Sequence, residues 1–110
     1  MFQICLNQNY EIYSEEKGHF GLININNFSE KFFVPIDFWD RNTYLKNWNC
    51  ELKKLLEGFS CAKLITKIYN PENMNFFQAW VLYLENNDIF IQEQIFFLDE
   101  LPKPFLIDDF

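Results

Sequence analysis

A chain of 110 residues has room for one hydrophobic core, and therefore one domain, without a disulfide or metal staple. Apolar residues make up 49% and aromatic residues 20%, which excludes disorder, because disordered chains lack the bulky groups that offset the entropy of ordering. A net charge of −7 argues against direct nucleic-acid binding, which rests on basic surfaces, and suits either a basic protein partner or the solubility of a Phe-rich chain.

The first strand is predicted at about 2–6, with a second segment near 10–14 (Tyr10-Glu11-Ile12-Tyr13-Ser14) continuing it after a turn. Glu15-Glu16-Lys17-Gly18 reads as a polar turn ending in the residue best suited to positive φ. His19 to Ile25 is the next strand, with Gly21, Ile23 and Ile25 on one face, and Asn26-Asn27 turns the chain into a strand from Lys31 to Ile36. Pro35 cannot donate to a ladder, so it marks an edge or an exit. A helix follows over 41–57. Asp40 or Asn42 caps its first amides, Gly58 stops it, and Leu45, Trp48, Leu52, Leu55 and Leu56 share its apolar face. Lys46, Asn49, Lys53 and Glu57 are left toward solvent.

Ala62 to Tyr69 alternates as a strand, and Asn70-Pro71-Glu72-Asn73 is a loop of turn residues. Phe76 to Leu84 is apolar on both faces, as a central strand would be, and Asn86-Asn87-Asp88 makes a hairpin turn into Ile89 to Leu98. Short, turn-linked strands predict an α+β fold. The expectation is a single domain over 1–110: a largely antiparallel sheet of about six strands in the order β-β-β-α-β-β-β, with one principal amphipathic helix on one face. Residues 99–110 are expected to form an extended C-terminal tail.

No apolar stretch approaches the roughly 20 residues of a bilayer span. Met1 to Leu6 lacks the basic start of a signal peptide, so a cytoplasmic location is expected. Cys5, Cys50 and Cys61 form no CxxC pair and read as small buried or half-buried thiols; with a single His, no metal site or cofactor is indicated. His19 has no triad-like neighbours and reads as a surface or strand-end residue, and the carboxylates are not paired in contrasting environments as acid–base catalysis requires. With 3 Gly in the chain, no phosphate cradle is present. These residues predict no enzyme. Trp48 and Trp80 belong in the core by position, whereas Trp39, between Asp37 and Asp40, either closes the core edge or anchors an interface.

The charge is uneven. Within 41–57 four basic residues face two acidic ones, a local +2, which leaves −9 for the rest of the chain. That field would draw in a basic protein and speed its association.

Phe32-Phe33-Val34-Pro35-Ile36, Trp39, Tyr44, Trp48 and the helix leucines, in that order, resemble the signature stretch of the CdiI-type immunity proteins of bacterial contact-dependent growth inhibition. Leu64-Ile65-Thr66, Asn75-Phe76, Trp80, Tyr83, Ile91-Gln92, Gln94, Phe97-Leu98-Asp99 and Pro104-Phe105 continue the likeness over most of the chain; Ala79 departs from it where a second tryptophan is common. The resemblance implies a protein that binds and neutralises the C-terminal toxin domain of a cognate partner. Such toxins are often basic nucleases, and a 1:1 acidic inhibitor would block substrate access. Exposure and charge then nominate Asp37, Trp39 and Asp40 for toxin binding, with Glu72, Asp99 and Glu100 behind them. The competing reading is a non-catalytic adaptor or subunit of another assembly.

Overall fold

The computed structural model describes residues 2–100. Strands β1 (Phe2–Leu6), β2 (Glu11–Tyr13), β3 (Glu16–Ile25) and β4 (Phe28–Pro35) precede helix α1 (Arg41–Leu56). Strands β5 (Cys61–Ile68), β6 (Phe76–Glu85) and β7 (Asp88–Phe97) follow, ending in a 3-10 turn at Leu98–Glu100. The fold is α+β, as expected. All strand pairs are antiparallel, but they divide between two sheets rather than one.

In the first sheet, β3 is the axis. β4 pairs along it from Gly18–Pro35 to Ile25–Phe28, while β1 and β2 share its other edge end to end. The segment near 10–14 therefore does continue the first strand. Its turn differs from expectation: Ser14 (φ 51°) and Glu15 (φ 67°) make the left-handed pair, and Gly18 lies inside β3. A Cβ at Gly18 would overlap the Val34 carbonyl oxygen and approach the Phe33 ring to 2.6 Å, so the glycine serves close approach rather than positive φ.

The second sheet runs β5-β6-β7, with the expected central strand in the middle. Ile23 and Val34 of the first sheet, Tyr44 and Trp48 of the helix, and Leu64, Trp80 and Leu82 of the second are buried in one cluster. Phe32 joins the layers, 6.0 Å from the Trp48 ring and 6.3 Å from Trp80. His19 is in this interior, 5% exposed, with Nδ1 2.8 Å from the Asn7 carbonyl oxygen. Contrary to the sequence expectation of a surface or strand-end residue, it lies within β3, paired with Val34 on the strand face that Ile23 and Ile25 also bury.

The helix is capped as predicted at both ends. Asp40 accepts from the Thr43 amide at 2.8 Å and the Thr43 hydroxyl at 2.6 Å. Gly58, at φ +100°, permits the Schellman closure, with its own N–H donating to Leu55 O and that of Phe59 to Lys54 O. The buried stripe differs, however. Tyr44, Trp48 and Glu51 are buried, Leu45, Leu52 and Leu55 are half-buried, and Leu56 is 87% exposed.

The reason is the outer edge of β5. Its peptide groups meet side chains of α1 instead of another strand. Glu51 Oε1 accepts from the Lys63 amide (2.9 Å) and Asn47 Oδ1 from the Ile65 amide (2.9 Å). Trp48 Nε1 donates to Ile65 O (2.7 Å), and the Ile68 amide donates to the Tyr44 hydroxyl (3.3 Å). Alternate strand residues face the same edge, so Lys63 and Ile65 would be followed by Lys67. A register shift between Ile65 and Lys67 brings Ile68 to the helix instead. Tyr44 also donates to Pro35 O at 2.7 Å and so ties β4 to β5.

Candidate functional site

The hairpin tip between β2 and β3, the exit of β4 and the end of β5 converge on one depression of about 510 Å³. Glu15, Glu16 and Asp37 line it against one basic residue, Lys17, with Pro35 and Ile36 forming an apolar wall and Tyr69 alongside. Tyr69 donates its hydroxyl proton to the Glu16 carboxylate, 2.9 Å from each oxygen. Burial, the Glu16 hydrogen bond and the charges of Glu16 and Asp37 all push the Tyr69 pKa up, so the phenol stays a neutral donor. Glu16 is thereby held in place, while Glu15 and Asp37 are exposed. A cationic side chain entering here would find three carboxylates, one of which, Glu16, is already oriented by Tyr69.

Beside the depression, the outer face of the first sheet carries aromatic rings. Tyr13, Phe20 and Phe33 form a mutual cluster with centroids 5.1–5.4 Å apart. Lys17 sits 4.0 Å over the Tyr10 ring and Lys31 4.3 Å over Phe20. Tyr10, Ile12 and Tyr13 are all more than half exposed. Ile12 pairs with Lys17 and Tyr13 with Glu16, so these two side chains leave opposite faces of the hairpin.

Of the residues nominated from sequence, Asp37 lies in the depression. Trp39 is half-buried, edge-on to Tyr44 at 5.3 Å, and packs against the core; the exposed ring of that loop is Phe38. Asp40 is at the surface, but the helix cap occupies its Oδ1, and the Thr43 hydroxyl and amide hold its carboxyl below the usual range. Glu72 is exposed in the β5–β6 loop, where its amide donates to Asn70 Oδ1 at 3.0 Å. Asp99 is exposed at the same end of the second sheet, since Leu98 N–H donates to Asn75 O. The Glu100 side chain and residues 101–110, most of the expected tail, lie outside the described residues. Glu15, Glu16 and Tyr69 were not singled out from sequence. Adjacent acids at a turn were the available signal, but Tyr69 is 53 positions from Glu16 and nothing local links them.

Cys5 and Cys50 are exposed rather than buried, Cys61 is half-buried, and all three are free. Among the described residues, no group of three or more His, Cys, Asp and Glu side chains is placed to hold a metal, and no helix is long and apolar enough to cross a membrane.

Comparison with known proteins agrees with this architecture. Residues 34–110 match the family model of the CdiI N-terminal domain. The chain is 37% identical over 81 residues to the immunity protein CdiI of Enterobacter cloacae subsp. cloacae, a match that takes in 71% of this chain and 54% of the relative. It thus spans about half the length of that relative. A chain from the solved CdiA-CT/CdiI toxin and immunity complex of Enterobacter cloacae superposes with a TM-score of 0.80 at 30% identity, covering 91% of this chain and 68% of the other. The sequence match and the shared arrangement of strands around one helix lead to the same conclusion: the chain belongs to the CdiI N-terminal-domain family.

Proposed function

We propose that this protein is an immunity protein that binds the C-terminal toxin domain of a cognate contact-dependent growth inhibition protein, 1:1, in the cytoplasm, and blocks its access to substrate. The observation that carries the reading is the superposition, over 91% of this chain, on a chain of a toxin and immunity complex. The surface supports it. The acidic depression offers Glu15, Glu16 and Asp37 to a basic partner, and Tyr10, Ile12 and Tyr13 beside it supply rings and apolar area of the kind that dominates binding energy. The toxin is then a basic domain, in keeping with a nuclease whose nucleic-acid groove these acids occupy. Inhibition is stoichiometric and needs no catalytic group. Glu72 and Asp99 add exposed negative charge, whereas Trp39 and Asp40 act mainly through packing and capping.

Titration calorimetry of the protein into the C-terminal domain encoded beside it tests this. Saturation at one equivalent is expected, with affinity falling as salt rises, because exposed charges are screened. Asp37→Asn combined with Glu15→Gln should weaken binding by about tenfold, in line with the loss of one or two charge-assisted contacts. Absence of heat with both proteins folded would favour the adaptor reading. Unchanged affinity in the double variant would move the interface away from the depression.

A further inference from the structure

Between β1 and β2 the pairing along β3 is irregular. Leu6 pairs with Gly21 and Glu11 with Gly18, so four residues, 7–10, stand opposite two, His19 and Phe20. Such a bulge interrupts the ladder, and its peptide groups need other partners. The Asn7 amide still donates to Phe20 O at 2.9 Å. Side chains meet the carbonyls of Leu6 and Asn7. Arg41, the first residue of α1, donates from Nη2 to Leu6 O (2.8 Å) and from Nε to Asn7 O (3.0 Å). His19 Nδ1 lies 2.8 Å from the same Asn7 oxygen, which can only accept, so Nδ1 carries the proton.

Local chemistry does little to stabilise the segment beyond this root. β2 is three residues long, and residues 11–13 are all exposed. Its turn into β3 places Ser14 (φ 51°) and Glu15 (φ 67°) in the left-handed region, which disfavours residues with a Cβ. A short hairpin with such a turn is marginal by itself. The β3 arm is fixed from elsewhere: the Ile36 amide donates to Lys17 O at 3.0 Å, and Tyr69 holds Glu16. The β2 arm has its pairing with β3 and, at its root, the grip of Arg41.

We propose that Arg41 is a positioning residue: its guanidinium, gripping two consecutive carbonyls, fixes the root of the β2–β3 hairpin and so sets where Tyr10, Tyr13 and Glu15 stand. A guanidinium presents its donors in a fixed planar fork, whereas the ammonium of lysine is a point charge on a flexible stem. Tyr10 follows closely on the gripped residues, and its ring meets the Lys17 ammonium at 4.0 Å. Tyr13 packs at 5.4 Å on both Phe20 and Phe33, and Glu15 lines the depression. The effect of Arg41 on all three passes through the backbone of 7–13.

The consequence for binding rests on the toxin-binding reading above, and its sign runs against simple electrostatics. Arg41 is a cation on an acidic inhibitor. Removing it makes the net charge of −7 one unit more negative, which by charge alone would speed association with a basic toxin. Loss of the grip acts the other way. The hairpin then samples more conformations, and ordering it again on binding costs affinity.

Hydrogen exchange of the free protein, followed by mass spectrometry, tests the grip without any partner. Arg41→Ala should speed exchange across 8–16 by about tenfold while β5 and β6 keep their protection, because the opening is local. Uniformly faster exchange in every strand, or no change in any, would overturn the proposal. Calorimetry against the toxin domain encoded beside this chain gives the second readout. Affinity should fall by about tenfold in Arg41→Ala and by less in Arg41→Lys, which keeps the charge but not the fork. Ser14→Asn, which eases the left-handed turn and leaves Glu15 in place, should recover part of that loss in the Arg41→Ala background. Affinity unchanged or raised in Arg41→Ala, with wild-type binding intact, would overturn the positioning role alone. A wild-type chain that gives no heat would overturn the toxin reading, and the exchange measurement would still decide the grip.

Discussion

The second sheet has two edges, and they are treated in opposite ways. Along β5 every outward peptide group described above is met by a side chain of α1, from Tyr44 through Asn47 and Trp48 to Glu51. Along β7 the outward groups meet no strand among the described residues, and Glu93 is the only charge between Ile89 and Phe97. The contrast shows that a helix can close a sheet edge as a strand does, provided its polar atoms fall at i, i+3, i+4 and i+7 and so share one stripe. This also explains why a glutamate is buried in a helix face that holds half-exposed leucines. Glu51 is satisfied by the Lys63 amide and by Lys54, so its burial carries no orphaned charge.

If the β5 seam holds the two sheets together, substitutions there should cost far more than on β7. The largest effect is expected from Trp48→Ala, which removes a ring 2% exposed and the partner of Ile65 O; urea unfolding should show a loss of about 3–5 kcal/mol. Tyr44→Phe keeps the ring but strands the Pro35 carbonyl and the Ile68 amide, and the same measurement should show about 1–3 kcal/mol. An equal tolerance at Trp48 and at β7 would break the contrast.

A smaller effect probes how the seam is started. Asp40→Ala removes the helix cap and should lower the Tm by a few degrees at neutral pH. The folded carboxyl lies below its ordinary pKa, so its contribution is present above the unfolded value and is lost as pH falls through the folded one. Asp40→Asn, which caps without a charge, should keep stability at neutral pH and lose that part of the acid dependence. The smallest effect is expected on β7, where Phe90→Lys should change stability by no more than about 0.5 kcal/mol, because the ring is already 54% exposed.

The depression and the β6–β7 hairpin differ in a related sense. The depression is built from three separate stretches, 15–17, 35–37 and 69, whereas the hairpin is set by the Asn86–Asn87 turn between two consecutive strands. The second kind of feature can be read before folding; the first kind cannot.

Local chemistry was sufficient for much of this protein. Turn residues at 26–27 and 86–87, the Asp40 cap, Gly58 and the apolar run of β6 determined the strands, the helix and the antiparallel connections, because each acts over a few bonds of chain. The likeness carried by 31–58 and its continuation determined the family for a related reason: spaced core aromatics are tied to one packing arrangement. Tertiary structure alone decided the division into two sheets, the rotation of the helix that buries Glu51 and leaves Leu56 in water, the burial of His19, and the meeting of Tyr69 with Glu16. Each of these depends on which peptide group or side chain arrives from a distant part of the chain. A hydropathy pattern records whether a residue is apolar; it does not record that a strand edge elsewhere needs a hydrogen-bond acceptor.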